Sequence, residues 1–135
     1  MTRLIKPTIN KDIAFKMFAA ANKAKANTYP DPGGFTVAVL TDKGNIYEGV
    51  AYISDTYTLT MHSEATALAN AAIHGEKNVI AITGPNCHIC KQLIWESALH
   101  SGIDIQIIIE ESDNVKFVSI SELMPYPWPD EDGGK

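Results

Sequence analysis

The sequence predicts an α/β domain in which a mixed five-stranded sheet carries helices on both faces and the last two strands run antiparallel. Three observations lead there. Amphipathic helical runs alternate along the chain with short apolar strand segments, as expected for helices laid against a sheet. Residues 79–83, Val79-Ile80-Ala81-Ile82-Thr83, form a continuous run of the kind covered on both faces. Residues 104–110 and 116–119 read as strands separated by only 111–115. A parallel pair needs a crossover of about a dozen residues, so these two strands are antiparallel if they pair.

The first element is an amphipathic helix over 11–26, with Asn10 as its N-cap and Ile13, Met17, Phe18, Ala21 and Ala24 at spacings of three and four. Turn formers crowd 29–34, and 35–40 then reads as a buried strand. Asp42-Lys43-Gly44 turns the chain into a second strand over 45–52, making an antiparallel hairpin. A loop over 53–61 delivers it to His62. The second helix ends at Gly75, a residue suited to the left-handed position past a helix, with His74 in the last turn. After the strand at 79–83, Gly84-Pro85-Asn86 turns into a third helix that stops at Gly102. Leu93, Ile94, Ala98 and Leu99 are its expected core face, Trp95 a core or subunit-interface residue, and His100 a helix-end residue. Beyond the last strands, Ser121 is expected to cap a short turn over 122–125.

Length and composition bound the function. At 135 residues, 45% hydrophobic and 20% charged, the chain is long enough for one core, so 1–129 is expected to be a single domain and 130–135 a flexible acidic tail. A net charge of −5 with no basic run excludes a partner bound through phosphate neutralisation. A small-molecule substrate is therefore expected, rather than a nucleic acid polymer. The first thirty residues carry charges and no uninterrupted apolar run, which predicts neither a secretion signal nor a membrane span and places the protein in the cytoplasm. Two cysteines three apart suit a reduced pair on a metal better than a disulfide closing a tiny loop.

The chemistry concentrates in two motifs. His62-Ser63-Glu64 opens one alanine-rich helix and Cys87-His88-Ile89-Cys90 opens the next. A lone histidine before a helix is ordinarily a polar terminal residue, two cysteines are ordinarily small core hydrophobes, and Glu64 alone would be a first-turn acid favouring the helix dipole. Together the motifs supply an imidazole and two thiolates, a soft ligand set that Zn²⁺ accepts while keeping a fourth position open. Glu64 is then a spare acid placed for proton transfer. For both His62 and Glu64 to face one metal, His62 must sit at or before the first helical turn, because positions two apart in a regular helix diverge. His88 is the alternative fourth ligand that would close the site, but adjacent positions in a helical turn point apart.

In order and spacing, Phe35-Thr36-Val37-Ala38, His62-Ser63-Glu64-Ala65-Thr66-Ala67, Cys87-His88-Ile89-Cys90-Lys91-Gln92 and Glu122-Leu123-Met124-Pro125 resemble the cytidine deaminase family of small single-domain zinc enzymes. Nearly the whole chain is covered, and the final hairpin without an intervening helix resembles the branch acting on free nucleosides, with blasticidin S deaminases as outlying members. The resemblance implies a three-layer fold, a zinc ion on His62, Cys87 and Cys90, and Glu64 as the proton shuttle of a hydrolytic deamination. It further implies substrate contacts at Phe35, Ala51, Ile53, Ser63 and Trp128, and a homotetramer, or a homodimer, whose sites are completed by neighbouring chains.

The chain departs from that branch in informative places. Its first motif has histidine where nucleoside deaminases usually have cysteine, and its second has Pro85 one place early and Lys91 in place of arginine. Two thiolates and a neutral imidazole leave the zinc site uncharged rather than at −1, so the arginine is less needed. The family's ribose-binding Asn-x-Glu falls on Ala51-Tyr52-Ile53. The expected substrate is an amino-pyrimidine nucleoside or related amino-heterocycle, with ordinary cytidine a poor one. A free or modified base, a nucleoside antibiotic such as blasticidin S, or a non-catalytic zinc-stabilised binding module are the alternatives.

Overall fold

The computed structural model describes residues 3–84 and 87–132. The expected turn at Pro85 and Asn86 and the last three residues of the acidic tail lie outside these. The chain runs α1 (Lys11–Ala24), β1 (Thr36–Thr41), β2 (Ile46–Val50), α2 (Ser63–Ile73), β3 (Val79–Thr83), α3 (His88–Ser101), β4 (Gln106–Glu111), β5 (Asn114–Ser119) and α4 (Ile120–Leu123). One sheet has the order β2-β1-β3-β4-β5. Among these strands of the described residues only β3 and β4 pair in parallel, and α3 lies between them in the chain as the crossover a parallel pair requires. The β1–β2, β1–β3 and β4–β5 pairs are antiparallel.

Strand alternation builds three layers. Val37 and Val39 of β1 join the core formed with Ala67 and Ala71 of α2 and Ile94, Trp95 and Ala98 of α3. Their neighbours Ala38 and Leu40 join the opposite core, against Ala14, Met17 and Ala21 of α1. A period of two thus feeds α1 on one face and α2 with α3 on the other. The expected mixed, two-faced sheet with an antiparallel last pair is the fold observed.

Several details differ from the sequence reading. The first helix is α-helical only to Ala24, its last residues tightening into a 3₁₀ turn over Lys25–Asn27. The last hairpin is tighter than expected, because β5 starts at Asn114 opposite Glu111 and leaves a two-residue turn. In α3, Leu93 is 41% exposed whereas Trp95 is buried, its indole N–H donating to the Pro129 carbonyl at 2.6 Å. The inward face of α3 is Ile94, Trp95 and Ala98, and Leu93 lies outside it. Ser121 does not cap the final turn: Ser119 stands at the N-cap, and the Ser121 hydroxyl donates instead to the buried Asp104 carboxylate at 2.7 Å. At the chain ends, Arg3 forms an ion pair with Asp132, and its backbone N–H donates to the Glu131 carboxylate at 2.6 Å.

Candidate active site

Two helix N-termini converge on one spot. His62 is the N-cap of α2 in extended conformation and Cys87 is the N-cap of α3, so each motif begins where orphan backbone N–H groups and the positive end of a helix favour anionic groups. Because His62 precedes the helix rather than belonging to it, its ring turns to the same side as Glu64, two residues on, as the sequence required. The start of α2 is held close to the sheet by Gly49. A methyl group there would overlap the Ser63 carbonyl and the backbone nitrogen of Ala67, so only glycine allows β2 to approach this closely. The Thr66 hydroxyl adds a 2.8 Å bond to the Val50 carbonyl.

The geometry gathers His62, Glu64, Cys87 and Cys90, with one ligand atom from each lying within 4.8 Å of all the others. His62 Nδ1 is 3.2 Å from Cys90 Sγ and 3.7 Å from Cys87 Sγ. Tetrahedral Zn²⁺, with bonds of about 2.3 Å to sulfur and about 2.05 Å to nitrogen, sets a sulfur–nitrogen edge of about 3.5 Å. The observed spacings bracket that value, and the donor set fits zinc. Burial first, then hydrogen bonding with Glu64 and Cys87, pushes the Cys90 thiol far above its ordinary range. A thiolate in this place needs a cation beside it. His88 is not part of the cluster; its Nδ1 faces the buried Lys91 Nζ at 3.4 Å.

Glu64 is only 3% exposed, and the neighbouring Ser63 hydroxyl, equally buried, donates to its Oε1 at 2.7 Å. Both residues border a cavity of about 350 Å³. Its helical wall is His62, Ser63, Glu64 and Cys87; its loop wall is Phe35, Ala51, Ile53, Thr60 and Met61. The structure therefore brings eight of the nine sequence-predicted site residues to one place, Cys90 through the ligand cluster and the other seven through the cavity wall. Trp128 is the exception: it is 73% exposed and borders no part of this cavity, and its carbonyl accepts from the Gln92 side chain at 2.8 Å. Thr60 and Met61 are lining residues that the sequence did not announce. The one available hint was their position immediately before His62.

An imidazole, two thiols and a buried carboxylate at paired helix N-termini beneath a mixed sheet define an α/β domain built around a metal centre. The comparisons give the family. A model of the cytidine and deoxycytidylate deaminase zinc-binding region matches residues 11–103, and the chain belongs to this family, with Zn²⁺ as its cofactor. The cytidine deaminases of Salmonella schwarzengrund and Salmonella newport are each 31% identical over 109 residues, covering 76% of this chain and 36% of theirs. The chain thus spans about a third of the length of the curated relatives it matches. Solved cytidine deaminases from Burkholderia pseudomallei (TM-score 0.69, 22% identity, 84% of this chain and 98% of that one) and Mycobacterium leprae (0.68, 23%, 87% and 99%) share the fold.

Proposed function

We propose that this protein is a zinc-dependent hydrolytic deaminase that converts a cyclic amidine of the amino-pyrimidine type, with water, into the carbonyl compound and ammonia. The observation that carries this reading is the buried Glu64 carboxylate beside the three-ligand cluster at the edge of a substrate-sized cavity. In this reading His62, Cys87 and Cys90 hold the metal. Bound there, Zn²⁺ supplies Lewis-acid activation of water.

The chain's own residues do the rest. Glu64 accepts the proton released from the attacking water and delivers it to the ring nitrogen beside the amino-bearing carbon. The same carboxylate then takes the remaining proton of the added hydroxyl and passes it to the departing amine as the carbonyl forms and the C–N bond breaks, the standard work of a positioned acid–base. The Ser63 hydroxyl on Oε1 fixes the rotation of the carboxylate, and the apolar loop wall limits water beyond the one that reacts. A purely structural zinc site would have no use for the spare carboxylate.

Protein purified without added metal should contain about one zinc per chain and release ammonia from at least one amino-heterocycle. A metal-free, fully folded protein would overturn the ligand assignment; a zinc-loaded protein inert towards the whole series would favour a zinc-stabilised binding module. We extend the proposal to a homotetramer, or a homodimer, in a reducing, cytoplasmic setting. Its support is the exposed Trp128, which lies apart from the cavity of its own chain, and sedimentation as a monomer would contradict it. Among the described residues no helix is long and apolar enough to cross a membrane.

A further inference from the structure

We infer that the cavity selects an amino-heterocycle whose ring substituent is absent or apolar, and discriminates against a ribose in that position. The inference rests on the deaminase reading of the same site and names the substrate class for it. Four of the five side chains on the loop wall, Phe35, Ala51, Ile53 and Met61, offer no hydrogen-bonding oxygen or nitrogen. What decides the matter is that the backbone N–H groups of Ala51, Ile53, Thr60 and Met61 are already engaged. The Ala51 N–H donates to the Phe35 carbonyl at 2.9 Å, Tyr52 to Met61 at 3.0 Å, Ile53 to Tyr29 at 3.0 Å, and Met61 to Tyr52 at 2.9 Å.

These bonds also fix the register of the segment, so Ala51 and Ile53 face the cavity and the intervening Tyr52 does not. The Tyr52 ring stacks instead on Tyr29, with centroids 4.0 Å apart and planes within 5°. Polar neighbours further along the loop are no substitute: Ser54 and Asp55 do not border the cavity, and the Ser54 hydroxyl pairs with Thr56 at 2.9 Å. Thr60 is the single polar side chain on this wall; its oxygen accepts from the Ser54 N–H at 3.0 Å, which leaves its O–H as the one side-chain donor there. On the opposite wall the Ser63 hydroxyl is engaged with Glu64. Carbonyls retain a second lone pair, but on the loop wall a buried sugar oxygen finds the Thr60 O–H as its one side-chain donor. Size is not the discriminator, because about 350 Å³ lies within the usual range for small-molecule sites.

The test uses zinc-loaded protein and the series cytosine, 1-methylcytosine, deoxycytidine and cytidine, read both as ammonia release and as calorimetric dissociation constants. 1-Methylcytosine should exceed cytidine by at least about tenfold in kcat/KM and in affinity, with deoxycytidine between them. Ile53→Asn, which adds a donor and an acceptor to the loop wall, should shrink that ratio by about tenfold; Ala51→Ser, a smaller change should the first fold poorly, should move it in the same direction. Cytidine equal to or ahead of 1-methylcytosine in both readouts would overturn the inference. Absence of ammonia from every compound would instead count against the deaminase reading, and the order of dissociation constants would still judge the selectivity.

Discussion

Two glutamates lie buried in this chain, and they are surrounded in opposite ways. Glu76, at the end of the turn after α2, accepts from the Thr41 hydroxyl at 2.6 Å, from the Asn45 amide Nδ2 at both carboxylate oxygens at 3.0 Å, and from the Tyr47 phenol. The Thr41 bond first, with those from Tyr47 and Asn45, holds its pKa down from 4.5 to about 2, and the same contact pushes the Tyr47 phenol up. Glu64, by contrast, accepts from one hydroxyl, that of Ser63, and beyond it, among the described residues, meets only the Cys90 thiol of the ligand cluster and the cavity. A carboxylate saturated with fixed donors ties β1, β2 and the α2–β3 turn together. One left with capacity beside a cavity and a metal centre is placed to move protons. Burial alone does not separate the two roles; the count of committed donors does.

The sharpest way to break this comparison is Glu64→Gln, which should retain zinc and the fold while lowering ammonia release by several orders of magnitude. Metal analysis beside the activity assay checks it, and a variant with wild-type turnover would remove Glu64 from the mechanism. Gly49→Ala comes next: forcing β2 away from the start of α2 should destabilise the protein by about 1–3 kcal/mol and displace His62 and Glu64 together. Thermal unfolding and zinc content should both fall.

Ser63→Ala then tests the single hydroxyl donor. Its loss should reduce kcat by about tenfold with little change in KM or zinc content, because the missing bond orients the carboxylate rather than the substrate. The smallest effect on catalysis belongs to Glu76→Gln, whose kcat should stay within about twofold of wild type while its stability changes. A group whose folded pKa is depressed contributes stability above its unfolded pKa and loses it as pH falls through the folded value. Wild type should therefore lose Tm between pH 4.5 and about 2 more steeply than Glu76→Gln, in a comparison where metal loss is common to both. Equal slopes would detach Glu76 from the acid sensitivity of the fold.

Elements governed by short-range pattern were legible in the chain. Helical spacing in 11–26, the continuous apolar run at 79–83, the short connection before β5 and the glycine after α2 each act within a few residues, and each appears in the structure close to where it was read. The motif residues were legible too, because a histidine, a spare acid and a spaced cysteine pair combine only where ligand chemistry demands them.

Tertiary structure alone decided which side chains meet across the sheet. Nothing near Glu76 in sequence announces Thr41 or Asn45, which reach it only because β1 and β2 pair in this register beside the α2–β3 turn. The pairing of the Trp95 indole with the Pro129 carbonyl, and of Ser121 with a buried acceptor seventeen positions away, was settled there too. The character of the cavity's loop wall belongs to the same group. The family resemblance named Ala51 and Ile53, but the engagement of their backbone N–H groups exists only once residues 29, 35, 52 and 61 lie side by side. Local free energies of helix, strand and turn are written in neighbouring residues, whereas the choice of a hydrogen-bond partner depends on register between segments distant in the chain.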